Sequence, residues 1–133
     1  MKILVAEDDF ISRTVLQEIL SPFGLVHLAG DGQEAVAAYA RSLVTREPYD
    51  LVCLDIMMPR LDGQEALKQI RALEHTQGIG GSDMVKILMI TALDDPKNIM
   101  AALVKGSCDG YLVKPIKRAR LLAELRKLGL IQE

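Results

Sequence analysis

Tryptophan is absent from the 133 residues, and only three Tyr and two Phe are present. So few aromatic faces leave no material for a base-stacking platform or an aromatic cage. A cationic excess is missing too: 16 Lys and Arg stand against 18 Asp and Glu, a formal net charge of −2. The field that nonspecific nucleic-acid binding needs is therefore lacking. Two cysteines, Cys53 and Cys108, lie in apolar surroundings with no CxxC spacing. A chain of this length builds a core without cross-links, so both are expected as reduced, buried thiols. His27 and His75 are isolated, which leaves no His/Cys metal set. The opening MKILVAEDD reaches carboxylates after four apolar positions. Neither a signal-peptide core nor a membrane span fits there, and a cytoplasmic location is the expectation. Repeats of solenoid length and low-complexity segments are also absent.

Half of the residues are hydrophobic, enough for one compact core, and a single domain over 1–133 is expected. Short solid apolar runs recur at Ile3–Ala6, Leu25–Leu28, Leu51–Leu54, Val85–Ile90 and Tyr111–Val113. Without polar alternation they suit strands covered on both faces, as in a parallel sheet. Between them the period changes. Ile11, Val15 and Ile19, then Val36, Tyr39 and Leu43, then Leu67, Ile70 and Leu73, then Leu121, Leu125 and Leu128 step by three or four. Each set makes one apolar helical face. Asp62-Gly63-Gln64-Glu65 has capping-box spacing, and Asp95-Pro96 reads as an N-cap followed by proline at the first helical turn. Gly24, Gly30 and Gly106 fall where elements should end. The stretch Gly78-Ile79-Gly80-Gly81-Ser82 lacks the Gly-Lys-Ser/Thr that a phosphate loop needs and reads as a plain loop. The sum is five strands alternating with five helices: an α/β, doubly wound fold whose site lies at the carboxyl ends of the strands.

Those ends hold the reactive groups. The first strand runs into Glu7-Asp8-Asp9, the third into Asp55, the fourth into Thr91, and the fifth into Lys114-Pro115. Carboxylates crowded on one edge repel, so either their pKa values rise or a cation sits among them. An all-oxygen set with few protein ligands suits Mg²⁺. Each residue alone has a plainer use: a carboxylate after a strand is often a helix N-cap, Thr91 a turn residue, Lys114 a solvated strand end. Asp55 fits the cap role less well, because Ile56-Met57-Met58-Pro59 delays the next helix to Asp62. The joint occurrence carries the weight.

Over nearly its whole length, and in motif order, the sequence resembles the receiver domain of two-component response regulators. The resemblance rests on the acidic pair, Asp55-Ile56-Met57-Met58-Pro59, Asp62-Gly63, Thr91-Ala92, and Tyr111-Leu112-Val113-Lys114-Pro115. It implies a flavodoxin-like (βα)5 fold with a parallel sheet in the order 2-1-3-4-5, an order the periodicity does not itself give. It also implies that Asp55 accepts a phosphoryl group from a sensor histidine kinase or a histidine phosphotransfer protein, that Asp8 binds Mg²⁺ directly, and that Glu7 binds it through water. Counted from the apolar run, Asp9 is then a helix cap. Further implications are the backbone carbonyl of Met57 as a metal ligand, Thr91 and Lys114 on the phosphoryl oxygens, a cis Lys114–Pro115 bond aiming Lys114 inward, and Tyr111 as the switch aromatic that follows Thr91.

On this reading the chain is a stand-alone phosphorelay switch, not an enzyme on other substrates, with chemotaxis among its settings. With the chain ending at Glu133, output is expected through a partner, on the face of the fourth helix, fifth strand and fifth helix. The basic residues Lys114, Lys117, Arg118, Arg120, Arg126 and Lys127 cluster towards the end of the sequence and read as a solvated helix face or part of that docking surface. A Mg-dependent small-molecule phosphatase is a second reading, weakened by Met57 standing where its general acid would be. A scaffold that never takes phosphate would be expected to have lost Asp55, Thr91 or Lys114. Apolar Met57 and Leu93 beside the phosphoryl position suggest slow resetting, since neither orients a hydrolytic water.

Overall fold

The computed structural model describes residues 1–92 and 108–132. Element order is β1 (Lys2–Ala6), α1 (Phe10–Leu20), β2 (Leu25–Ala29), α2 (Gly32–Val44), β3 (Leu51–Asp55), α3 (Gly63–Thr76), β4 (Lys86–Thr91), β5 (Gly110–Val113) and α4 (Arg118–Lys127). The helix expected from Asp95-Pro96, the end marked by Gly106, and Leu93 lie outside the described residues.

All five strands are parallel in one sheet ordered β2-β1-β3-β4-β5, the order the resemblance implied. Successive strand residues point to opposite faces, and both faces are dry. Leu4, Ala6, Val52, Leu54, Ile87 and Met89 pack beneath Ala35 and Tyr39 of α2 and Leu67 and Ile70 of α3. Ile3, Val5, Leu51, Cys53, Leu88 and Ile90 pack beneath Leu16 and Ile19 of α1 and Leu121 and Leu125 of α4. This is why the central runs are solid rather than alternating.

The edge strands correct that expectation. In β2, Leu25 is 60% exposed and Leu28 is exposed as well; in β5, Tyr111 is 40% exposed. A solid apolar run does not tell a central strand from an edge one, where the outer side lacks a neighbour. Ile11 is likewise exposed, and the buried face of α1 runs through Leu16, Ile19 and Leu20. Cys53 is buried as expected, but Cys108 is only partly covered.

Among the described residues, three helices start on aspartates. Asp9 accepts from Ser12 N at 2.9 Å, Asp31 from Glu34 N at 2.9 Å, and Asp62 from Glu65 N at 2.8 Å. Each satisfies one of the amides that a helix leaves unpaired at its start. Gly63 is fixed by packing: a Cβ there would stand 2.2 Å from the carbonyl oxygen of Asp55. The start of α3 is therefore mounted directly on the end of β3. The 75–84 region carries the expected loop, with one short 3₁₀ turn at Gly81–Asp83.

Candidate functional site

The carboxyl ends of β1, β3 and β5 bring together what the sequence spread over more than a hundred positions. Carboxylate oxygens of Glu7, Asp8 and Asp55 lie within 4.8 Å of one another. Glu7 and Asp55 are buried and Asp8 is exposed. Lys114 reaches in from the end of β5: its Nζ is 2.9 Å from Asp55 Oδ2 and 2.6 Å from Glu7 Oε1. The Lys114–Pro115 peptide bond is cis, as the resemblance implied. Asp55 Oδ1 accepts the Met57 amide at 3.1 Å.

Among the described residues, one ammonium faces three carboxylates, and the shortfall falls on Glu7. Its contact with Lys114 is an ion contact without hydrogen-bond geometry, and neither of its oxygens, both out of solvent, has a hydrogen-bond partner. Burial, and then the neighbouring Asp55, push the Glu7 carboxyl up to about 8. Burial works against the charge of Lys114, but its hydrogen bond to Asp55 and the negative charge of the Asp55 and Glu7 carboxyls beside it outweigh that and hold its pKa above the ordinary value. Orphaned buried oxygens beside an exposed carboxylate make a donor set that fits a hard divalent cation keeping several waters.

The cap in the acidic run falls where it was expected. Asp9 turns away to cap α1, and its hydrogen bonds with Ser12 lower its pKa. Asp8 and Glu7 are left for the cluster. Thr91 is buried at the end of β4, with its hydroxyl donating to its neighbour's carbonyl, Ala92 O, at 3.2 Å. Tyr111 lies on the outer side of β5 beside Arg120, Glu124 and Lys127 of α4. The Met57 side chain is 66% exposed, so what it offers the interior is backbone. The basic residues Lys117, Arg118, Arg120, Arg126 and Lys127 are all exposed.

A family profile, the response regulator receiver domain, matches residues 3–126. The chain belongs to that family. Receivers similar to this one occur in larger proteins: the response regulator MprA of Mycobacterium leprae is 40% identical over 129 residues, 96% of this chain and 50% of that protein. The chain thus spans about half the length of such curated relatives. Among solved structures, the receiver domain of the Arabidopsis thaliana histidine kinase CKI1 complexed with Mg²⁺ and BeF₃⁻ is 27% identical, with a TM-score of 0.83 over 96% of this chain and 89% of that one. The receiver domain of Saccharomyces cerevisiae Ssk1, in a co-crystal with the histidine phosphotransfer protein Ypd1, is 31% identical, with a TM-score of 0.82 over 99% of this receiver and 90% of that chain.

Two polar clusters of this receiver escaped the sequence reading. Glu74 is fully buried and accepts from Tyr39 Oη at 3.0 Å, Val85 N at 2.7 Å and Arg71 Nη1 at 2.6 Å. Arg71 Nη2 continues to Asp109, whose Oδ2 also accepts Ile87 N at 2.8 Å. Glu74 continues the face of Leu67 and Ile70 at helical spacing, a polar residue in apolar register, and that was the available signal. His27, read as isolated, pairs through Nδ1 with Tyr49 Oη at 2.7 Å. Among the described residues, helices long and apolar enough to cross a membrane are absent.

Proposed function

We propose that this receiver is a phosphoacceptor switch that takes a phosphoryl group on Asp55 from the phosphohistidine of a sensor kinase or phosphotransfer protein. The observation that supports this most directly is a buried Asp55 carboxylate held by Lys114 Nζ and the Met57 amide, in an acidic cluster that one ammonium does not neutralise. An Asp55 oxygen forms a bond to phosphorus while the phosphorus–nitrogen bond to the donor imidazole breaks, and the electron pair leaves with the nitrogen. A carboxylate nucleophile such as Asp55 needs no general base. Lys114 faces the developing charge on the phosphoryl oxygens, and the Thr91 hydroxyl donates to one of them after leaving Ala92 O.

Asp8, Asp55 and the Met57 carbonyl, with Glu7 through water, would hold Mg²⁺ at the strand end next to the nucleophile, and the ion would supply positive charge for the oxygens of the transferring group. Withdrawal of Thr91 toward the phosphoryl group makes room for Tyr111 to turn in from its exposed position. The surface around Tyr111 on β5 and α4 then changes shape, and a downstream protein reads the change. The exposed Met57 side chain carries no proton to give a leaving group, which disfavours the phosphatase reading.

Incubation with Mg²⁺ and acetyl phosphate, followed by intact mass measurement, tests the proposal. One added phosphoryl group is expected in the wild type and none in Asp55→Asn; equal labelling of the two overturns it.

A further inference from the structure

The segment between Asp55 and α3 is tied at both ends. Ile56 N donates to Ile90 O at 2.8 Å, and Gly63 N to Ile56 O at 3.0 Å. The span 57–62 between these anchors includes the Met57 carbonyl, and its shape is set by what it meets along the way.

Arg60 has φ +65°, in the left-handed region that non-glycine residues rarely occupy. Around it, Leu61 N donates to Pro59 O at 2.7 Å. A two-residue hydrogen bond across a positive φ is the rarer, strained form of the γ-turn. Strain of this kind persists only where the surroundings hold it. Two contacts do so, both on the start of α2. The Leu61 carbonyl lies against Gly32, where a Cβ would come within 2.0 Å of its oxygen. Arg60 Nε lies 3.4 Å from Oδ2 of Asp31, whose side chain is only 6% exposed. The other Asp31 oxygen caps α2 through Glu34 N. One buried carboxylate thus ends a helix with one oxygen and holds a strained turn with the other.

We infer that Arg60 and Asp31 are positioning residues for the cation site, fixing the turn that sets where the Met57 carbonyl points. The inference rests on the proposed Mg²⁺ site. For Arg60 the sign separates it from a through-space effect. Two cations repel, so by Coulomb's law alone removal of the Arg60 charge would tighten Mg²⁺ binding; a positioning role requires the opposite.

Mg²⁺ affinity of the full chain is measured by calorimetry for wild type, Arg60→Gly and Asp31→Asn, alongside thermal midpoints. Glycine relieves the positive φ while deleting the ion pair. Asparagine keeps the helix cap and leaves the turn sequence untouched. Both variants are expected to bind Mg²⁺ about three- to tenfold more weakly, with Arg60→Gly melting at or above the wild-type temperature. A purely structural pair would instead move affinity and midpoint down together. Unchanged or tighter Mg²⁺ binding in Arg60→Gly, in a protein whose wild type binds Mg²⁺, overturns the positioning role and leaves the phosphoacceptor reading standing. Failure of the wild type itself to bind Mg²⁺ overturns both.

Discussion

Glu7 and Glu74 are equally cut off from solvent, and they sit at opposite edges of the same sheet in opposite conditions. At the amino edge, Glu74 has a donor on each oxygen: Arg71 on one, the Tyr39 hydroxyl and the Val85 amide on the other. At the carboxyl edge, among the described residues, both oxygens of Glu7 lack a hydrogen bond, and the one cation on it is shared with Asp55. Burial alone therefore does not say what a carboxylate is for. A satisfied one binds α2, α3 and β4 into one body, whereas an unsatisfied one costs stability that a cation can return.

The largest test breaks the satisfied edge. Arg71→Ala strips the cation from a fully buried Glu74 and from Asp109, and should destabilise the receiver by about 3–5 kcal/mol in urea unfolding. If the loss is below about 1 kcal/mol, the two edges are not as different as their geometry states.

The unsatisfied edge should respond with the opposite sign. In chelator and above pH 8, where the folded-state Glu7 carboxyl has lost its proton, Glu7→Gln removes the crowding charge and should raise stability by about 1–2 kcal/mol. The pH dependence has the same origin. With the Glu7 carboxyl at about 8 in the folded protein and 4.5 as its ordinary value, the folded state keeps a proton across that window that the unfolded chain has released. Stability contributed by Glu7 is full below the ordinary value and is lost as pH rises to about 8, at a slope of up to about 1.4 kcal/mol per pH unit. Denaturation curves in chelator should show this decline, and Glu7→Gln should flatten it.

A smaller test separates neighbours within the acidic run. Asp9→Ala should lose about 1 kcal/mol of stability with the α1 cap and keep Mg²⁺ binding, while Asp8→Asn should lose Mg²⁺ and leave stability in chelator nearly unchanged. Reversal of the two places the register one residue off. The smallest test is chemical. Burial pushes the Cys53 thiol up to about 12, so in the native protein it should resist a thiol reagent under conditions where partly covered Cys108 reacts first.

Much of the carboxyl edge was legible because its chemistry follows strand endings, and strands are legible from solid apolar runs. Counting four residues from Ile3 distinguished Glu7 and Asp8 from the capping Asp9. The sheet order came with the family rather than from the periodicity. The amino edge was not legible in the same way, because Tyr39, Arg71, Glu74 and Asp109 meet only once two helices and two strands are in place. Leu25, Leu28 and Ile11 were read as covered for a related reason: local period does not encode which strand lies at an edge. The turn at Arg60 gave no local signal either, since its left-handed backbone falls on a residue that carries no preference for it.

The close seat of Gly63 on Asp55 bears on how such a chain can change over generations. Every single-nucleotide missense change at a glycine codon brings in a side chain, and at position 63 the first atom of any side chain meets the last carbonyl of β3. Selection at this position is imposed by backbone and is indifferent to phosphate. A descendant that exchanged Asp55 for an inert residue and survived as a phosphate-blind adaptor would still be bound to glycine at 63. On the proposed reading, Asp55 answers to phosphate chemistry, and Gly63 answers only to the fold.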